Sequence, residues 1–264
     1  MFIIWGTKRT LRKLGYVANY CPFCRDVRGF KLSRVGAASH VYYISFGAGK
    51  LKGHIIECCE CGQAIKADAM TYKSYLNEPP MDTESLIRDT YPALRDVYAN
   101  RLALEAKIRR SPRSLSDDER RQLLIEPFSL LNPIVESRFT GDTRTDKRSN
   151  IGCLGTMIGV AALFAISLKF REPMQSNILL AAGIFFCVGT LYTLIQMGLG
   201  PRRFLRTKTL PVLARALEPL QPTEEELAAC LGSCKTAGMV IGKKLKLQVL
   251  QAELQKRAST QIQG

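Results

Sequence analysis

Two stretches of this chain carry no charged side chain: residues 151–168, 18 in number, and residues 178–199, 22 in number. At 1.5 Å of rise per residue they reach ~27 and ~33 Å as helices, against a hydrocarbon core of ~30 Å. A helix in a soluble core keeps a polar stripe towards water, and neither stretch has one. The nine residues between them, 169–177, include Pro173 and leave room only for a tight return. The pattern predicts a transmembrane hairpin over residues 151–200. A mean hydropathy of -0.03 conceals it, because the average blends both stretches with polar flanks.

The flanks set an orientation. Arg138, Arg144, Lys147 and Arg148 precede the first stretch, and Arg202, Arg203, Arg206 and Lys208 follow the second. The connecting loop offers only Lys169 and Arg171. By the positive-inside rule both tails lie in the cytoplasm, with the hairpin in the inner membrane. The N-terminus fits. An export signal places positive charge before an apolar region of about 7–15 residues. Here Met1-Phe2-Ile3-Ile4-Trp5 is shorter and Lys8-Arg9 come after it, so residues 2–5 read as a short strand.

Inside the two stretches the only ionisable side chains are Cys153, Cys187 and Tyr192. A transporter or proton relay places Asp, Glu, His, Lys or Arg there, so the hairpin reads as an anchor. Gly152, Gly155 and Gly159 in the first stretch, with Gly183 and Gly189 in the second, allow close helix approach. Contact between the protein's own two helices is the simpler use of them. A homodimer through Gly155 and Gly159 is the alternative.

Nine cysteines, an odd count with no export signal, do not suggest a disulfide framework. Cys21-Pro22-Phe23-Cys24 and Cys58-Cys59-Glu60-Cys61 suggest a metal instead. Each pair lets one tight turn present two sulfurs to the same ion, and two such turns supply the Cys₄ set of a closed structural zinc site. Gly62 after the second pair suits the turn by admitting positive φ, whereas Arg25 stands at that place after the first. Between the pairs, residues 29–35, 41–46 and 54–57 read as strands, separated by Gly36-Ala37-Ala38 and Gly47-Ala48-Gly49. Two knuckles on a small antiparallel sheet form a zinc ribbon with one structural Zn²⁺ on Cys21, Cys24, Cys58 and Cys61. Cys59 points away in this reading. His40 and His54, the only histidines, are strand residues rather than ligands.

The opening Met1-Phe2-Ile3-Ile4-Trp5-Gly6-Thr7, Cys-Pro-Phe-Cys, an aromatic-rich strand and Cys-x-x-Cys-Gly together resemble the short bacterial zinc-ribbon proteins that begin MFII-[FW]-G. The resemblance covers about residues 1–66. It implies a Cys₄ zinc ribbon on the same four cysteines and no enzymatic role.

The remaining segments are helical. Residues 82–110 and 116–139 have mixed charge, and Ser116-Asp117-Asp118-Glu119 forms a capping box. Pro92, Pro127 and Pro133 are expected to divide them into shorter helices. Downstream, residues 211–217, 223–237 and 245–257 read as helices, the second opened by Thr223-Glu224-Glu225-Glu226 and stopped by Gly238. Cys230 and Cys234 fall one turn apart on it, without a His or acidic partner, and read as core. The predicted organisation is a zinc ribbon (1–76), a helical cytoplasmic segment (77–150), the hairpin and a helical cytoplasmic tail (201–264). In fold class this is a multi-segment α+β membrane protein. The two soluble helical segments are each small for an independent core and are expected to pack together.

The chain holds no phosphate loop and no nucleophile elbow, and two histidines give acid–base catalysis few candidates. The expectation is therefore a non-enzymatic adaptor at the membrane, displaying an interaction surface to a protein partner. A rival is nucleic-acid binding. Residues 1–78 hold 12 bases and 5 acids, +7, with Lys8, Arg9, Arg12, Lys13, Arg28, Lys31 and Arg34 beside Tyr42, Tyr43 and Phe46. Bases among aromatics can bind single strands, but anionic lipid headgroups account for the same charge. An accessory subunit of a membrane transporter is the third alternative, disfavoured by the uncharged spans.

Overall fold

The computed structural model describes residues 5–41, 44–45, 47, 49–79, 82–140, 147–169 and 174–262. The N-terminal part is an antiparallel sheet of β1 (Trp5–Cys21), β2 (Asp26–Val41), β3 (Ile44–Ser45), β4 (Lys50–Cys58) and β5 (Ala64–Ala67). The strand order is β1-β2-β4-β5, with the short β3 also on β2. The strands are longer than the sequence pattern suggested. β1 fills the whole approach to Cys21, and β2 runs straight through Gly36-Ala37-Ala38, where a turn was expected. The ladder explains this: Gly36 and Ala37 are paired with Thr10 and Arg9 on one side, and with Leu51 and Lys50 on the other. An irregularity between Val35 and Gly36 takes up the misfit with β4. Tyr42, Tyr43, Phe46 and residues 2–4 lie outside the described residues.

β1 is an edge strand, and unpaired edge groups invite association with other chains. Around residues 16–18 a later part of the chain covers this one. Tyr16 exchanges two backbone hydrogen bonds with Leu76, at 2.7 and 3.0 Å. The Ala18 N–H donates to Thr90 Oγ1 at 2.9 Å, and that hydroxyl donates to the Leu86 carbonyl at 2.7 Å. Gly15 makes the approach feasible, since a Cβ there would lie 2.5 Å from the Leu76 oxygen.

The chain divides into two compact units that do not follow chain order: Met1–Arg120 with Arg215–Gln221, and Arg121–Ala214 with Pro222–Gly264. In the first, helices α1 (Thr83–Thr90), α2 (Leu94–Val97) and α3 (Ala99–Arg110) accompany the sheet. Phe23, Phe30, Leu32, Ile56, Leu86 and Ile108 are fully buried there, as are Leu217 and Leu220 from the short downstream piece.

Most of α4 (Asp117–Thr140) belongs to the second unit, with α5 (Lys147–Ser167), α6 (Met174–Phe204), α7 (Leu210–Leu217, up to Ala214), α8 (Glu224–Thr236), α9 (Val240–Lys244) and α10 (Leu247–Ile262). A π-helical turn, Leu205–Thr209, joins α6 to α7. Both capping boxes are present. The Ser116 N–H donates to Glu119 at 3.0 Å and the Glu119 N–H to Ser116 Oγ at 3.3 Å; Thr223 and Glu226 repeat the pattern. Pro92 falls between helices, but Pro127 and Pro133 do not break α4 as expected. Each costs its helix roughly 3 kcal/mol. Leu123, Leu124, Phe128, Leu131 and Val135 bury one continuous face, and that burial outweighs the lost backbone bonds.

α5 and α6 form an antiparallel pair with small residues at the contact. A Cβ on Gly152 would meet the Tyr192 ring at 2.9 Å, one on Gly189 would meet Thr156 at 2.2 Å, and one on Gly159 would meet the Phe185 ring at 2.3 Å. Gly155 and Gly183 face open space. Away from that contact the apolar side chains are exposed, among them Ile151, Leu154, Met157, Leu180 and Ile184. Two helices are long and apolar enough to cross a membrane, and only 6% of each apolar window is buried.

Candidate metal centre

The turn from β1 into β2 presents Cys21 and Cys24, and the end of β4 with the turn into β5 presents Cys58 and Cys61. The β2–β4 ladder, which pairs Phe30 with Cys58, brings the two turns to the same end of the sheet. All four sulfurs lie within 4.8 Å of one another. Cys21 Sγ is 3.6 Å from Cys61 Sγ, and Cys24 Sγ is 3.9 Å from Cys58 Sγ. Disulfide sulfurs stand about 2.05 Å apart. A tetrahedral ion with metal–sulfur bonds of about 2.3 Å requires sulfur separations of ~3.8 Å, which the two distances bracket. The four cysteines therefore form a metal-sized cluster. Cys59 lies outside it and is exposed, with its N–H donating to the Gly29 carbonyl at 3.0 Å. His54 sits in β4 opposite Arg34, and His40 in β2. Cys230 and Cys234 are buried in α8. Among the described residues no other group of three or more His, Cys, Asp or Glu side chains converges.

The two knuckles share one backbone geometry. The Arg25 N–H donates to the Cys21 carbonyl at 2.7 Å, and the Gly62 N–H to the Cys58 carbonyl at 2.9 Å. Gly62 has φ 69° and Arg25 has φ 55°. A left-handed conformation costs a side-chain-bearing residue roughly 1–2 kcal/mol, and Arg25 is held there by what it reaches. Its Nε donates to Glu105 Oε2 at 2.8 Å, and Nη1 to the Ala216 carbonyl at 3.2 Å. Both side chains of the ion pair are only 4% exposed. Glu105 Oε1 accepts from the Tyr20 hydroxyl at 2.7 Å and from Arg101 Nε at 3.1 Å. Burial, followed by the Glu105 charge, raises the Tyr20 hydroxyl well above its ordinary range. This network ties the first knuckle to α3. Sequence reasoning missed it, although an arginine at a glycine position was the signal.

A second cation faces the other knuckle. Arg215 donates to Glu60 at 2.6 Å, which raises its already high pKa, and the charges of Cys24 and Cys61 act in the same direction. Four thiolates around a divalent ion would leave a net −2, half of which this guanidinium would offset.

Hydrogen bonding shifts the four thiols in different directions. Bonds from Cys21, then Cys24, lower the Cys58 and Cys61 thiols. Cys21 is raised by its bonds to Cys24, Cys58 and Cys61, with burial adding to the shift. At Cys24 the bond to Cys21 lowers the thiol, but those to Cys58 and Cys61, with burial, outweigh it, so the net direction is upward.

Several bases of the sheet are already engaged. Lys31 pairs with Glu57 at 2.5 Å, Arg28 with Asp26 at 3.4 Å, and Lys13 donates to the Asn77 carbonyl at 3.0 Å while lying over the Tyr16 ring. Arg12 is exposed. No family model, no curated protein and no solved structure matches this chain.

Proposed function

We propose that this protein is a membrane-anchored zinc-ribbon adaptor: a two-span hairpin holds a Cys₄ zinc module and helical segments at the cytoplasmic face of the inner membrane. It presents a surface to a protein partner and performs no catalysis. The observation that carries the reading is the exposure of the two apolar helices. Contiguous exposed apolar patches on soluble monomers rarely exceed a few hundred Å². Here two helices of 21 and 31 residues turn apolar side chains outward along most of their length. Lipid is the solvent that suits them. The eight bases outside the hairpin, against two in its loop, support cytoplasmic tails.

Zinc is favoured over other ions by the ligand chemistry. Four thiolates in a closed tetrahedral arrangement suit Zn²⁺ and leave no position for a substrate, so the site is structural. The test of the anchor is fractionation with topology mapping. Alkaline carbonate should leave the protein in the membrane pellet, and reporters fused after residues 76 and 260 should report cytoplasm while a tag near Pro173 reports the outside. Release by carbonate would defeat the anchor, and an external signal from either tail would defeat the orientation.

A further inference from the structure

The second unit contains a cavity of about 390 Å³ that none of the foregoing uses. Arg202, Arg206, Lys243, Lys244 and Lys246 line it, with apolar lining from Phe139, Leu205, Leu210, Leu245 and Val249. Among the described residues no carboxylate lines it. An adjoining groove of about 520 Å³, sharing Arg206, Leu210 and Val249, is lined by Glu253 and Lys256 as well. Lys244 is held towards the wall by the Phe139 ring, 5.7 Å from its centroid. The five cations are exposed to solvent, which screens their mutual repulsion, and an anion entering the hollow meets all five with no carboxylate in its lining to compete. Ligand sites commonly occupy about 300–1,000 Å³, so the space suits a small head rather than a large cofactor.

Its position relative to the apolar helix identifies the anion. Arg202 follows the end of the second uncharged stretch, at residue 199, by three residues, or ~4.5 Å of helix, and Arg206 by ~10 Å. The polar layer of a bilayer begins at the hydrocarbon edge and is ~5–8 Å deep. The two arginines therefore fall at phosphate depth and just beyond it. Arg206 lies within the π-helical turn Leu205–Thr209, an irregularity that recurs at functional sites. Sequence alone gave no sign of the site, because Lys243, Lys244 and Lys246 come about 40 residues after the arginines.

We propose that this cavity binds the phosphate of an anionic phospholipid headgroup, with Arg202 from the end of α6, Arg206 from the π-helical turn that follows, and Lys243, Lys244 and Lys246 from the α9–α10 corner as its cationic lining. The apolar residues accept the upper acyl-chain segment of the same lipid. The proposal rests on the membrane reading of α5 and α6. It differs from a diffuse attraction of the basic sheet for headgroups, since it names a discrete, stoichiometric site in the other unit.

The test uses full-length protein in nanodiscs of phosphatidylcholine mixed equally with phosphatidylglycerol, followed by mass-spectrometric counting of the lipids retained. The wild type should keep phosphatidylglycerol in excess. Each base near a membrane surface is worth roughly 1 kcal/mol, about fivefold in affinity, so Arg202→Gln with Arg206→Gln should lose about 25-fold. Lys243→Gln, Lys244→Gln and Lys246→Gln combined should lose more. A variant with the exposed Lys66, Lys73 and Lys235 changed to Gln removes equal charge elsewhere and should retain the lipid. Equal retention by all variants would overturn the proposal. So would displacement of the lipid by glycerol phosphate in the buffer, which would make a free phosphate ester the ligand. Carbonate extraction of the same wild-type protein separates the two readings. A resistant protein without lipid preference defeats the site alone, whereas an extractable one defeats the anchor.

Discussion

Arg25 occupies a backbone position that suits glycine, and its side chain gives the position a second purpose. Replacing it with Gly relieves roughly 1–2 kcal/mol of left-handed strain but leaves the buried Glu105 with Arg101 as its remaining cation. Breaking a buried pair costs about 3–5 kcal/mol, so Arg25→Gly should destabilise the first unit by about 2 kcal/mol in denaturant unfolding. Adding Glu105→Gln should recover part of that loss; a stabilised Arg25→Gly variant would show that strain outweighs the ion pair. At the ligands, Cys61→Ser should abolish stoichiometric zinc while Cys59→Ser retains it, by metal analysis of purified protein. Cys61 belongs to the four-sulfur cluster and Cys59 does not. Loss of zinc from the Cys59 variant alone would reverse the assignment.

The glycines of α5 and α6 make the pairing of the two helices a matter of residue size. Thr156 sits where a Gly189 side chain would be, and the Phe185 ring where a Gly159 side chain would be. Gly159→Ile or Gly189→Ile should separate the helices, reducing by at least severalfold the yield of a disulfide engineered across them, while Gly183→Ile, facing open space, should leave that yield unchanged. Equal effects at all three positions would show that the contact is not built on these residues. Elements of this kind were legible where chemistry is local. Apolar length marked the two helices, paired cysteines marked the knuckles, and Ser116 and Thr223 marked helix starts. The long β1 was not legible, because its strand character comes from pairing with β2 rather than from alternation in Trp5–Cys21. Nor was the passage of α4 through Pro127 and Pro133, which depends on what its apolar face is buried against. The basic cavity and the Arg25–Glu105 pair join residues far apart in sequence, beyond the reach of a local pattern.

At the scale of the whole molecule, the proposed anchor gives the chain two different solvents, water for the first unit and lipid for the exposed apolar helices. The first unit encloses the four thiols, so its stability is linked to metal and to protons. Without metal, hydrogen bonding among the sulfurs raises the Cys21 and Cys24 thiols and lowers those of Cys58 and Cys61. Zinc ligation by thiolates releases protons, so its affinity should fall as pH is lowered below neutrality. The sign follows from the thiolates. Cys58 and Cys61, lowered in the folded chain, contribute stability that is present above the free-thiol value of about 8.5 and lost as pH falls through their folded values; bound metal lowers all four thiols and extends this dependence to Cys21 and Cys24. The hairpin has no such link to metal, because its spans contain no Asp, Glu, His, Lys or Arg and its two cysteines lie outside the four-sulfur cluster. Chelation at mildly acidic pH should therefore unfold the sheet, read as lost β signal and as proteolysis between Trp5 and Ala67, while the protein still resists carbonate extraction. Readdition of zinc at neutral pH should restore protection. If chelation left the sheet protease-resistant, the metal would be dispensable to the fold; if it released the protein from the membrane, the zinc module rather than the hairpin would be the anchor.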